Sequence, residues 1–165
     1  MKTRASLAIS CALLFLPFLP TRQVAAEEKA PASKYVCSQP HPETSCNPGN
    51  TCGSSSEPCA VDVKRTGNSA SATPSIPSAK GNELFCVKSG ATVTWQSKSK
   101  DTGFVIDFGP ASPFEPAGSI IGGSDKSVSV VAKKAGCYKY SVGACLSGAI
   151  GGMCGSAETD LIVTN

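Results

Sequence analysis

Eight cysteines behind an apolar leader constrain this chain more than any other feature: Cys37, Cys46, Cys52, Cys59, Cys86, Cys137, Cys145 and Cys154. How they act depends on the compartment, and the amino terminus speaks to that. Lys2 and Arg4 precede an apolar run from Leu7 to Leu19, and Val24-Ala25-Ala26 sets small residues ahead of Glu27. A basic start, a short apolar stretch and a small-residue site describe a secretory signal peptide over residues 1–26, cleaved after Ala26. The run is too short to span a bilayer comfortably and is broken by Pro17 and Pro20, which argues against an anchoring helix. Ala8-Ile9-Ser10-Cys11 lies too early in the apolar segment to act as a lipoprotein box. In an exported chain an even set of cysteines reads as disulfides, and the spacing leaves their pairing open. The chain holds no C-x-x-C, so a thiol–disulfide oxidoreductase has no support.

Composition changes along the mature part. Residues 27–57 are polar and rich in Pro, Ser, Gly and Asn, and cannot bury a core, so bridges or docking must order this extension. Residues 58–165 show the period of two that marks half-buried strands. Ala60 to Lys64 alternates, and a loop holding Pro74 and Pro77 follows. Leu84 to Val87 comes next, and Lys88-Ser89-Gly90 turns the chain into Ala91 to Trp95. Phe104 to Phe108, Lys126 to Val131, Gly136 to Val142 and Asp160 to Thr164 complete the series. Pro110, Pro113 and Pro116 mark an irregular crossover between the Phe104 and Lys126 strands. Short β-branched and aromatic runs between Gly, Pro and Ser clusters predict an all-β sandwich.

The spacing of these strands resembles the cupredoxins, the blue-copper domains, over residues 57–165. Val87-Lys88-Ser89-Gly90-Ala91-Thr92-Val93-Thr94-Trp95 looks like the family's V-x-x-G-x-T-V-x-W entry into the sheet. Gly136-Cys137-Tyr138-Lys139-Tyr140 resembles its G-x-Y-x-Y/F strand, and Phe104 to Phe108 its first ligand strand. The resemblance implies a cupredoxin-like Greek-key β-sandwich, here preceded by a cysteine-bearing and mostly irregular extension. It implies no type 1 copper centre, which needs two imidazoles, a thiolate and a weak axial thioether. Phe104 stands at the first histidine position, Val142 at the thiolate, Cys145 at the second histidine and Ile150 near the axial position. The chain's one histidine is His41. An atypical copper or electron-transfer site would have to draw on Cys145, Met153 and His41. By the same resemblance Cys145 and Cys154 bracket the family's ligand loop and would bridge in place of a metal. Cys86 and Cys137 would pair at the opposite end, with Cys37, Cys46, Cys52 and Cys59 pairing among themselves.

Other chemistry finds little purchase. Without the leader the chain carries twelve basic against twelve acidic residues, with no basic run to neutralise a row of phosphates, which speaks against nucleic acid. The spacing of Cys37, His41, Cys46, Cys52 and Cys59 matches no standard zinc finger. Gly143 to Gly155 reads as a tight apex loop without the Lys-Ser/Thr ending of a phosphate loop. Asp101 with Asp107, and Glu158 with Asp160, read as solvated surface carboxylates, and a Ser-His-Asp group lacks support with His41 in a polar tail. The sequence therefore points to an exported, non-enzymatic binding or structural module without a cofactor, periplasmic or secreted and not membrane-inserted. It would contact another protein of the envelope or exterior through Leu146, Ile150 and Met153.

Overall fold

The computed structural model describes residues 36–54, 56–146 and 154–165. The leader, the start of the extension, Ile150 and Met153 lie outside the described residues. Ten strands form in chain order: β1 (Cys59–Thr66), β2 (Ser69–Pro74), β3 (Phe85–Lys88), β4 (Thr92–Gln96), β5 (Thr102–Asp107), β6 (Phe114–Glu115), β7 (Ile120–Gly123), β8 (Val128–Ala132), β9 (Gly136–Leu146) and β10 (Cys154–Thr164). They make two five-stranded sheets, ordered β2-β1-β4-β8-β6 and β3-β10-β9-β5-β7. Each sheet is mixed, because β1 runs parallel to β4 and β3 parallel to β10 while the other pairs are antiparallel. The fold is all-β and sandwich-like. Among the described residues no helix is long and apolar enough to cross a membrane.

The core follows from the period of two, which sends alternate side chains to opposite faces. Val61 and Val63 of β1, Val93 and Trp95 of β4, Phe104 and Ile106 of β5, Tyr140, Val142 and Ala144 of β9, and Leu161 and Val163 of β10 all point between the sheets and are buried. Trp95 sits at the centre, with the rings of Phe85, Phe114 and Tyr140 meeting it edge-on at centroid distances of 6.5, 6.4 and 5.7 Å. Tyr138 borders this core, and its hydroxyl donates to the Lys134 carbonyl at 3.0 Å.

Three stretches depart from the sequence expectation. The expected loop with Pro74 contains β2, whose Ala70, Ala72 and Pro74 turn inward while Ser69, Ser71 and Thr73 alternate outward. Small residues hide this strand from a pattern search, yet small residues are what its packing needs. A Cβ on Gly155 of β10 would collide with the Ser69 carbonyl oxygen, so β2 and β10 approach with nothing between them. The expected irregular crossover contains β6 and β7, which are short and were masked by the surrounding prolines and glycines. Both flanks of the expected apex loop, Gly143 to Gly155, are strand, because β9 continues to Leu146 and β10 begins at Cys154.

Residues 36–58 contain a single 3-10 turn at Pro42–Thr44 and are pinned to the sandwich by three bridges: Cys37–Cys137, Cys46–Cys86 and Cys52–Cys59. Asn50 to Cys52 lies along β3, where the Cys86 N–H donates to the Asn50 carbonyl at 2.9 Å and the Cys52 N–H to the Cys86 carbonyl at 2.8 Å. The outer edge of β3 is thereby covered, which removes a site for edge-to-edge association. The expected Cys86–Cys137 pair is overturned. Both residues face outward in one row of the sheet, but Ile162 of β10 stands between them, in register with Cys86 on one side and Cys137 on the other. Two strand spacings make about 9.5 Å, beyond the roughly 7 Å that a disulfide can bridge between Cα atoms. Each cysteine instead takes a partner from the segment laid over that face, so the expected pairing of Cys37, Cys46, Cys52 and Cys59 among themselves holds for Cys52–Cys59 and is overturned for Cys37 and Cys46.

Candidate functional site

One end of the sandwich, called the apex below, gathers the β1–β2 turn, the β4–β5 connection and the facing ends of β9 and β10. Cys145 and Cys154 are register partners on β9 and β10, with Cα atoms 4.1 Å apart, and they are disulfide-bonded. This is the pair expected from the bracketing of the loop. Direct opposition on neighbouring antiparallel strands brings the Cβ atoms close enough for a bridge without bending the chain. The bond ties the two strands at the last pair among the described residues.

Leu146 follows on the inward side of β9, continuing the row of Tyr140, Val142 and Ala144, and is partly exposed. It borders an open cavity of about 530 Å³ that is also lined, among the described residues, by Lys64 and Arg65 of β1, Lys98 and Ser99 of the β4–β5 connection, and Thr102 of β5. Arg65 continues the inward row of Val61 and Val63, so the strand ends by sending a guanidinium where the core would otherwise receive an apolar group. Its Nε is buried and has no hydrogen-bond partner among the described residues. Lys64 is held by Asp62, with Nζ 3.2 Å from Oδ2, and the other oxygen of Asp62 accepts the Lys98 N–H at 3.2 Å. The cavity is therefore a basic mouth opening between the sheets.

The positions that would carry copper ligands are otherwise engaged. Phe104 and Val142 are buried in the core, and the sulfur of Cys145 is committed to Cys154. His41 is exposed at the other end, 3.6 Å from Glu43, in the segment that Cys37 fastens to Cys137. Cys137 and Cys145 stand eight residues apart on one strand, about 26 Å at strand rise. The atypical set of Cys145 and His41 therefore does not converge, and Met153 lies outside the described residues. Among the described residues no group of three or more His, Cys, Asp or Glu side chains is placed to hold a metal ion.

The other carboxylates also have local tasks. Asp160 is buried, not solvated as its sequence setting suggests. Its Oδ2 accepts the Ser38 N–H at 3.1 Å and the Gln39 Nε2 at 3.2 Å, so it fastens the extension to β10. Glu158 faces Lys139 at 4.0 Å, and Asp107 accepts the Gly109 N–H at 2.9 Å. Burial pushes the Tyr140 phenol well above its ordinary value, and the nearby Asp160 charge adds to the effect. The Tyr140 hydroxyl has no hydrogen-bond partner among the described residues.

Sequence reasoning found Leu146 and the bracketing cysteines but missed Lys64, Arg65, Lys98 and Thr102 as neighbours. The available signal was the parity of Arg65 with Val61 and Val63. Nothing in the spacing pointed to Lys98. Comparison of the chain with protein-family models and with curated proteins finds no match.

Proposed function

We propose that this chain is an exported, non-enzymatic binding or structural module: a cupredoxin-like Greek-key sandwich without a type 1 copper site, acting through its apex on a protein of the envelope or exterior. One observation carries the reading. The strands that flank the expected ligand loop are closed at their ends by Cys145–Cys154, with Leu146 next to an open cavity. A covalent tie there fixes the ends of β9 and β10 to each other, so the flanks of the loop need not be ordered on association. Three of the four ligand positions hold Phe104, Val142 and Ile150, which offer copper no donor atom, and the fourth holds Cys145, a disulfide sulfur. Four bridges also suit an oxidising compartment, consistent with the leader over residues 1–26 and a periplasmic or secreted location. The division into an extension over residues 27–57 and a domain over residues 58–165 follows the change in composition.

The reading predicts no free thiol in protein exported through an oxidising compartment, and no stoichiometric copper after the metal is offered and excess removed. A free thiol together with bound copper would overturn it in favour of an atypical copper protein. For the partner surface, photo-crosslinking from position 146 in the native envelope should give a discrete adduct that position 78, on the exposed connection after β2, does not give. Equal labelling from both positions would remove the apex from the reading.

A further inference from the structure

The apex cavity carries an inference of its own, which rests on charge and shape and not on the partner reading above. Its walls hold three cations, of which Lys64 alone is paired with a carboxylate. Among the described residues Arg65 and Lys98 meet no carboxylate within 4.0 Å, and the Arg65 Nε has no hydrogen-bond partner. With Nε buried, the side of the guanidinium open to the cavity is its terminal nitrogens, donors that an acceptor entering the cavity can meet. Natural sequences place apolar residues at inward positions such as this one, as Val61 and Val63 show on the same strand. Ser99 and Thr102 line the same space, and their hydroxyls are not engaged by hydrogen bonds among the described residues. The mature chain as a whole is balanced in charge, so this excess is local.

We propose that the cavity is a binding site for a small organic oxyanion, a sulfate, phosphate or carboxylate carried on an apolar body. Arg65 would meet the oxyanion with its two terminal nitrogens, the planar fork that suits a tetrahedral or carboxylate group. Lys98 adds a second charge from the exposed rim, and a hydroxyl of Ser99 or Thr102 completes the shell. Leu146, the register partner of Thr102 on the neighbouring strand, would cover the apolar body, which a bare inorganic anion lacks. A volume of about 530 Å³ is larger than such an anion requires and accommodates a ring beside it.

The test is a titration of the oxidised, isotope-labelled chain with phenyl sulfate, inorganic sulfate and inorganic phosphate at constant ionic strength set with chloride. Amide shifts and the Arg65 Nε–H resonance are followed by NMR. Phenyl sulfate should saturate with a Kd on the order of 0.1–1 mM, the range for one charge-assisted contact with modest apolar cover. The largest shifts should fall on Arg65, Lys98, Thr102 and Leu146. Arg65→Gln should weaken phenyl sulfate by about tenfold or more, and Arg65→Lys nearly as much, because the fork is lost although the charge remains. Lys98→Gln sits in an exposed connection, preserves the fold, and should weaken binding by about threefold. Leu146→Ala should weaken phenyl sulfate while leaving inorganic sulfate unchanged.

Non-saturating shifts spread over all lysines would overturn the site, as would unchanged affinity in Arg65→Gln or, should that variant not fold, in Lys98→Gln. Equal affinity for phenyl and inorganic sulfate would overturn the part given to Leu146. None of these outcomes bears on the thiol count or the crosslinking pattern, so the two readings fail separately.

Discussion

Replacing Trp95 with alanine tests the packing at its centre. Trp95 is the largest fully buried side chain, on the central strand of its sheet. Its removal takes away three edge-on ring contacts, with Phe85 of β3, Phe114 of β6 and Tyr140 of β9. Truncating a buried aromatic residue to alanine costs about 3–5 kcal/mol, more where the surroundings cannot collapse. Collapse is restricted here, because the three rings come from strands in both sheets and are held by their own ladders. The Nε1–H of Trp95 has no partner among the described residues, so no hydrogen bond is lost to add to the sum. We expect about 4–5 kcal/mol, a large part of the roughly 5–15 kcal/mol that stabilises a domain of this kind. With a urea m-value near 2 kcal/mol/M, the midpoint should fall by about 2 M. Trp95 is the chain's one tryptophan, so unfolding must be followed by circular dichroism with the disulfides intact. Trp95→Phe keeps part of the ring contact and should lose about half as much. A loss below about 1.5 kcal/mol for Trp95→Ala would refute the inward placement of β4 and the three-ring contact.

Tyr140 ties stability to alkaline pH: its folded pKa is raised, so its contribution is fully present below the ordinary tyrosine value and is lost as pH climbs above it. Above about pH 10 stability should fall by about 1.4 kcal/mol per pH unit from this one group, and Tyr140→Phe, which forfeits no hydrogen bond among the described residues, should remove that slope without loss at neutral pH. A slope that persists in Tyr140→Phe would assign the effect elsewhere. Paired replacement of Cys145 and Cys154 by serine should cost about 2–3 kcal/mol by the loop-entropy estimate, whereas paired replacement of Cys37 and Cys137, separated by 100 residues, should cost more. Calorimetry of the two variants checks the order, and the reverse order would contradict the fastening of the extension. Gly155→Ala drives a methyl group into the Ser69 carbonyl and should destabilise by at least about 2 kcal/mol, read from the urea midpoint; a neutral result would mean that β2 does not lie against β10.

The fold class was legible wherever large side chains alternate. Val61 and Val63, Val93 and Trp95, Phe104 and Ile106, and Tyr140 and Val142 each declare both a strand and its inward face, because an apolar group at every second position has one way to leave water. β2 alternates too, but with alanine against serine and threonine, and so small an apolar contrast does not stand out. At the apex, the Cys145–Cys154 bridge was legible only through the family resemblance, which makes both residues bracket one loop. The pairings of Cys37, Cys46, Cys86 and Cys137 were not, since they depend on which strands are neighbours and on what lies between them.

The sequence by itself determined the oxidising chemistry expected of eight cysteines, the all-β class, the inward faces of most strands, and the unsuitability of Phe104 and Val142 as metal ligands. Those are properties of residue type and local period. Tertiary structure decided that Ile162 separates Cys86 from Cys137, that Asp160 is buried beneath the extension, and that Arg65, Lys98 and Leu146 share one cavity. These depend on sheet order and register between strands that lie up to about a hundred residues apart. A local pattern specifies which face a residue takes, but not which distant residue it will meet there.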